Sequence, residues 1–127
     1  MKVIVVGAGA AGMMAAGRAA ENGHTVDIYE KNNMVGKKIR ITGKGRCNVT
    51  NASDPEEHIA NTPGNPYFMY SSLYRFTPAD TVALMEKLGV ATKVERGKRV
   101  FPVSDKAADV AEALLRYMKK NGVKLHL

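Results

Sequence analysis

The first thirty residues change rhythm twice. Lys2 to Val6 (KVIVV) is a short β-branched run with no room for a helix before the glycines that follow, and it reads as a buried parallel strand. From Ala10 to Asn22 the residues are small and helix-favouring, with Ala11, Met14, Ala15 and Ala19 on one side and Gly23 as the stop signal. Thr25 to Tyr29 (TVDIY) alternates and is rich in β-formers. Strand, helix and strand in so short a span predict a right-handed crossover in a parallel sheet.

Beyond Glu30 the pattern loosens. Lys31 to Asn51 carries glycines, cations and small polar groups with little periodicity, and reads as a long structured loop holding at most one short strand or turn. Pro55 to Ala60 predicts a short helix, and the breaker Asn61 to Pro66 (NTPGNP) separates it from an aromatic stretch, Tyr67 to Phe76. Tyr67, Tyr70, Tyr74 and Phe76 read as core in preference to a substrate wall. Thr77 with Pro78 predicts a capped helix that runs to about Leu88 and stops at Gly89. Ala91 to Glu95 and Lys98 to Val103 flank Arg96 and Gly97, which suits a hairpin with a two-residue loop. Ser104 then predicts the cap of a helix from Asp105 to about Lys120, with Ala108, Val110, Ala111, Leu114, Leu115 and Met118 on its apolar face. Val123 to Leu127 predicts a last strand. Only three strands suit a doubly wound sheet, so the expectation is that the part completing it lies outside this chain.

Composition narrows the classes. A chain of 127 residues with 45% hydrophobic and 24% charged side chains suits one modest α/β domain. No apolar run approaches the ~20 residues of a membrane span, and no export signal is read. The single cysteine, Cys47, suits a reducing compartment, so the cytoplasm is expected. The net charge of +7 is partly local, with Lys37, Lys38, Arg40, Lys44 and Arg46 crowding one segment. That favours a phosphate-bearing ligand over a nucleic-acid or membrane partner. His24, His58 and His126 lack metal-ligand spacing, so no metal is expected.

Gly7, Gly9 and Gly12 form GxGxxG (GAGAAG), a weak signal alone. Here the motif follows a strand, opens a helix at Ala10 and Ala11, and is answered by Glu30, about 20 residues past the last glycine. Gly7 permits the tight turn, Gly9 lets backbone approach a pyrophosphate, and Gly12 lets helix and sheet pack closely. Unpaired helix N–H groups then face the anion. Glu30 is placed to accept hydrogen bonds from a ribose diol and to repel the extra phosphate of NADP, while Lys31 borders the adenosine half. These residues leave FAD and NAD both open.

A second constellation, Gly36 to Asn51 (GKKIRITGKGRCNVTN), carries a resemblance. With the glycine loop, the GxxVxIYEK run ending at Lys31 and Arg99 to Val110 (RVFPVSDKAADV), it resembles the BaiN/YhiN-like flavoproteins, the NAD(FAD)-utilising dehydrogenases. Their TGxGRCNxTN hallmark is matched by Thr42, Gly43, Gly45, Arg46, Cys47, Asn48, Thr50 and Asn51. The resemblance covers essentially the whole chain and implies an FAD/NAD(P)-binding Rossmann-like fold. It also implies FAD as cofactor, with NAD(P)H as a candidate electron donor, and redox chemistry on a small organic substrate of enone or amino-ketone type. Members are longer, so this chain is expected to be the N-terminal part of an FAD-binding domain. Its regions would be a βαβ unit (1–30), a flavin-side loop (31–54), a helical and hairpin insertion (55–103) and a final helix and strand (104–127).

On that reading, the glycines of the second constellation admit close backbone approach, and Lys37, Lys38 and Arg46 neutralise phosphates or the reduced flavin. Asn48, Thr50 and Asn51 offer partners to the ribityl chain or ring edge. Cys47 reads as a packed small side chain in preference to a redox thiol. Two other readings stand beside this one: a non-catalytic nucleotide-binding module and an NAD-dependent Rossmann dehydrogenase. The sequence identifies no catalytic acid or base and carries no signal of subunit number.

Overall fold

A computed structural model describes all 127 residues. The chain opens with β1 (Lys2–Val6), α1 (Ala10–Glu21) and β2 (Thr25–Tyr29), and β1 pairs with β2 in parallel, Lys2 opposite Thr25 and Val6 opposite Tyr29. The region read as a loop contains a short helix, α2 (Lys37–Ile41), a 3-10 turn over Thr42–Gly45 and a two-residue strand, β3 (Thr50–Asn51). Helix α3 spans Pro55–Ala60 as expected, and a 3-10 turn (Pro66–Met69) leads into α4 (Tyr70–Arg75). Helix α5 (Pro78–Lys87) has the predicted start, with Thr77 and Asp80 forming a reciprocal capping box.

The hairpin is β4 (Thr92–Glu95) and β5 (Arg99–Pro102), joined by three residues where two were expected. Glu95 pairs with Arg99, and both Gly97 and Lys98 have positive φ. The last helix, α6 (Ala107–Lys120), begins two residues later than expected. Asp105 has φ +56, a left-handed conformation no helix accepts, and the Ser104 hydroxyl accepts from the Lys106 N–H without capping the helix. Strand β6 (Lys124–His126) closes the chain.

Two sheets result. The parallel sheet has the order β1-β2-β6, and the antiparallel one is β3-β5-β4. Helices α1 and α6 cover one face of the parallel sheet, where Val26 and Ile28 share a core with Met13, Ala16, Leu114 and Met118. The other face is open. Strand β1, expected to be buried, is paired along one edge only and leaves Ile4 and Val6 exposed. On that open face Asp27 is held by His126 Nε2 at 2.8 Å and Lys2 Nζ at 3.6 Å, and the His126 ring stacks on Tyr29.

The inward face of α1 differs from the sequence reading. Met13, Ala16 and Gly17 are buried, whereas Ala11 and Ala15 are exposed. The rotation follows from Gly17, where an added Cβ would strike the Tyr117 ring of α6, so the two helices meet over that glycine. On α6 the structure adds Ala113 and Tyr117 to the apolar face and exposes Ala108. The aromatic stretch is not core: Tyr67 and Phe68 are 77% and 82% exposed, and Tyr70, Tyr74 and Phe76 are also exposed. No helix is long and apolar enough to cross a membrane.

Candidate nucleotide-binding site

The glycine loop leaves β1 at Val6 and turns at Gly7, whose φ of +96° a side chain would oppose. Its geometry is fixed from three sides. The Gly7 N–H donates to Tyr29 O at 2.7 Å, the Gly36 N–H donates to Ala8 O at 2.8 Å, and the Ala8 N–H donates to Glu30 Oε2 at 2.8 Å. A Cβ on Gly12 would overlap the Gly7 carbonyl oxygen, so that glycine sets how closely α1 approaches the loop. A Cβ on Gly9 meets no protein atom, and its φ of −81° suits any residue. Gly9 is therefore unconstrained from within the protein. Helix α1 has no side-chain cap and no acidic residue in its first turn, so the N–H groups around Ala10 and Ala11 are left for a ligand anion.

Glu30 sits beside the loop at the end of β2. Its Oε1 accepts from the Asn32 N–H at 2.8 Å and from Asn32 Nδ2 at 2.6 Å. The backbone N–H groups of Asn32 and then of Ala8 hold the Glu30 carboxyl below the usual carboxylate range. With Ala8, Gly9, Asn32, Lys37, Lys38 and Ile41 it lines a cleft of about 350 Å³, the polar cleft, bordered by one carboxylate, one amide and two ammonium groups. Lys31 is exposed and lies outside this lining, and Lys37 and Lys38 are exposed at its rim.

The segment after α2 makes a tight corner. Gly43, Lys44, Gly45 and Cys47 all have positive φ, the Cys47 N–H donates to Thr42 O at 3.0 Å, and Thr42 Oγ1 donates to Ile39 O at 2.7 Å. At Gly43 a Cβ would press on Asn48 N and the Phe101 ring. This corner forms one side of a second cavity of about 490 Å³, where Thr42, Cys47 and Asn48 face Met14, Leu84 and Leu114. Ten of its fifteen lining residues are hydrophobic, so it receives a ring better than a phosphate. Gly9 and Lys38 line both this cavity and the polar cleft, so the two adjoin at those residues.

Residues 1–127 match the HI0933-like protein Rossmann domain. The chain belongs to that family. It is 32% identical over 124 residues to the ribosomal RNA dihydrouridine synthase of Haemophilus influenzae, covering 98% of this chain and 30% of that protein. It is 34% identical over 128 residues to the 3-dehydro-bile acid delta(4,6)-reductase of Clostridium scindens, again covering 98% and 30%. The chain thus spans about 30% of the length of these curated relatives. Among solved structures, THI4 of Thermovibrio ammonificans superposes with a TM-score of 0.64 over 98% of this chain and 37% of that one. At 15% identity that likeness shows the α/β fold alone.

Within this HI0933-like domain, part of the second constellation does work other than that read from sequence. Arg46, read as an anion-neutralising group, lines neither cleft. Its Nε and Nη2 donate to Asp105 Oδ1 at 2.9 and 2.7 Å, Nη2 also bonds Glu95 Oε1, and the guanidinium lies 4.2 Å over the Phe101 ring. Those carboxylates come from 59 and 49 residues away, a separation local pattern does not reveal. Thr50 pairs with Val100 across the antiparallel sheet, and Asn51 is spent on Gly97 O at 2.8 Å and the Ser53 N–H at 3.1 Å. Asn48, with Nδ2 turned inward, donates to Thr50 O at 2.9 Å and Val100 O at 3.2 Å. Thr50 and Asn51 therefore build the wall's support and line neither cleft.

Cys47 is buried and lines the apolar cavity, and burial pushes its thiol up from the ordinary value against a weaker pull from Thr42. A protonated, packed thiol is the state this favours at neutral pH. Sequence reasoning missed Asn32, whose amide orients Glu30, and the apolar wall supplied by α1, α5 and α6. The Asn two residues after an acid was the available signal for the first. No local pattern marked the second.

Proposed function

We propose that this domain binds FAD in an extended pose and forms the dinucleotide-binding part of a flavin-dependent oxidoreductase. The observation that carries this reading is that the two clefts adjoin at Gly9 and Lys38: Glu30, Asn32 and the two lysines border one, and mostly apolar side chains line the other. A dinucleotide with a large fused ring matches that sequence of environments.

In this arrangement Glu30, oriented by Asn32 and Ala8, receives the adenosine ribose, and Lys31 borders the adenosine half at the surface. The N–H groups of Gly9, Ala10, Ala11 and Gly12 receive the pyrophosphate, with Lys37 and Lys38 supplying countercharge. Thr42, Cys47 and Asn48 present the corner's edge to the ring. Gly43 and Gly45 make the corner possible, and Arg46, Thr50 and Asn51 hold it. Bound flavin would supply the hydride chemistry; the protein's part is binding, orientation and electrostatics.

The two curated relatives differ in the substrates their names state, yet both names describe saturation of a ring carbon–carbon double bond. Reduction of such a bond in a small organic substrate, with NAD(P)H as electron donor, is the reaction we assign to the whole protein. Lys37 and Lys38 stand at the rim of the polar cleft, where a cofactor's phosphates would lie, and we assign no nucleic-acid partner. The buried, unpaired Cys47 fits a reducing cytoplasm.

The test is retention. The purified chain, incubated with FAD and desalted, is expected to elute yellow with flavin absorbance. A colourless chain that retains NAD⁺ instead would sink the proposal in favour of an ordinary NAD dehydrogenase.

A further inference from the structure

We infer that Arg46 is a positioning residue for the ring half of the ligand: with Glu95 and Asp105 it ties the Thr42–Asn48 corner to the hairpin and to the start of α6. The inference rests on the proposed reading of the apolar cavity as the ring site.

Three observations support it. First, the arginine is spent. Nε and Nη2 bond Asp105 and Glu95, the guanidinium covers Phe101, and Arg46 is not among the residues lining either cleft. Lys93 completes the knot, 2.8 Å from Asp105 Oδ2 and 3.4 Å from Glu95 Oε1. Two cations against two carboxylates leave no net charge to attract a phosphate.

Second, the corner needs holding. Lys44 and Cys47 have φ of 55° and 61°, and L-residues persist there only when their surroundings over-determine the conformation. Beside the Arg46 side chain those surroundings include the bonds from the Arg46 N–H to Gly43 O, from the Cys47 N–H to Thr42 O and from the Val49 N–H to Val100 O. Asp105, itself at φ 56° and tied by its N–H to Pro102 O, is a third strained residue at the knot.

Third, the tied elements both line one cavity. The corner contributes Thr42, Cys47 and Asn48, while α6, which begins two residues after Asp105, contributes Val110 and Leu114. The knot therefore sets the width of the apolar cavity and leaves the polar cleft, built on Gly9, Glu30 and Asn32, untouched.

The experiment compares FAD with ADP, which occupies only the polar end, by calorimetric titration of wild type, Arg46→Ala, Asp105→Asn and the double variant. The inference predicts that FAD affinity falls about tenfold or more in each single variant, that ADP affinity stays within about twofold, and that the double variant is no weaker than the worse single one. Arg46→Ala weakening ADP and FAD alike, with helix content by circular dichroism retained, would overturn it by placing the arginine on the phosphates. If Arg46→Ala unfolds, Asp105→Asn decides: unchanged FAD affinity there overturns the inference. Wild type that binds FAD no better than ADP overturns the ring-site reading itself, and this inference with it. That outcome differs from a variant-specific failure.

Discussion

The backbone N–H of Ala8 donates to the carboxylate of Glu30 at 2.8 Å, so the acid at the end of β2 holds the glycine loop in addition to facing the polar cleft. Three of the four acceptor positions of this carboxylate are occupied by Ala8 and Asn32, leaving about one for a ribose hydroxyl. In the proposed binding mode, one side chain thereby couples loop shape to sugar recognition.

Replacing Glu30 by Gln keeps the size but offers only one oxygen to donors that now use two. ADP and FAD affinities should both fall, by about tenfold or more, and titration calorimetry reads the change. Loss of FAD binding alone would contradict the assignment of Glu30 to the adenosine end.

Gly9 and Gly12 make a contrasting pair. Gly12→Ala drives a methyl into the Gly7 carbonyl and should lower the melting temperature. Gly9→Ala meets no protein atom and should melt like wild type, yet lose dinucleotide affinity because the methyl occupies the line of pyrophosphate approach. Equal FAD binding by Gly9→Ala and wild type would mean the ligand does not come close there.

The charge knot has a defined acid limb. Arg46 holds the Glu95 carboxyl below the ordinary value, and Lys93 and then Arg46 do the same for Asp105. Carboxyls depressed in the folded state contribute stability above their unfolded values, near 4, and lose it as pH falls through the lowered folded values. The stability difference between wild type and Arg46→Ala should therefore be flat from about pH 5 to 8 and shrink below about pH 4. Denaturant unfolding at each pH measures it, and a difference that widens in acid would contradict the knot.

The contact between α1 and α6 is tested by Gly17→Ala. An added methyl meets the Tyr117 ring, whose hydroxyl is engaged by Glu21 at 3.0 Å, so the helices must part or the ring must leave its bond. A loss of about 1–3 kcal/mol is expected from chemical denaturation, with dinucleotide affinity nearly unchanged.

Legibility in the sequence followed the range of the interactions. The GxGxxG turn, β2, α3 and the capped start of α5 were readable because each is specified by residues within a few positions of itself. The inward face of α1 was not, since a helix of alanines and glycines offers almost no polar contrast and its rotation is set by Tyr117, a hundred positions away in the chain. The role of Arg46 was hidden for the same reason: its motif is local but its partners are Glu95 and Asp105. The exposed Tyr67 and Phe68 show that aromatic content alone does not define a core.

The central claim is that one extended ligand spans the polar cleft and the apolar cavity. Titration calorimetry of the chain with FAD and with ADP under the same conditions tests it most directly. FAD should bind at least about tenfold tighter than ADP, with a more negative heat-capacity change from burial of the ring. Equal affinities with equal heat-capacity changes would contradict it, confining the ligand to the adenosine end.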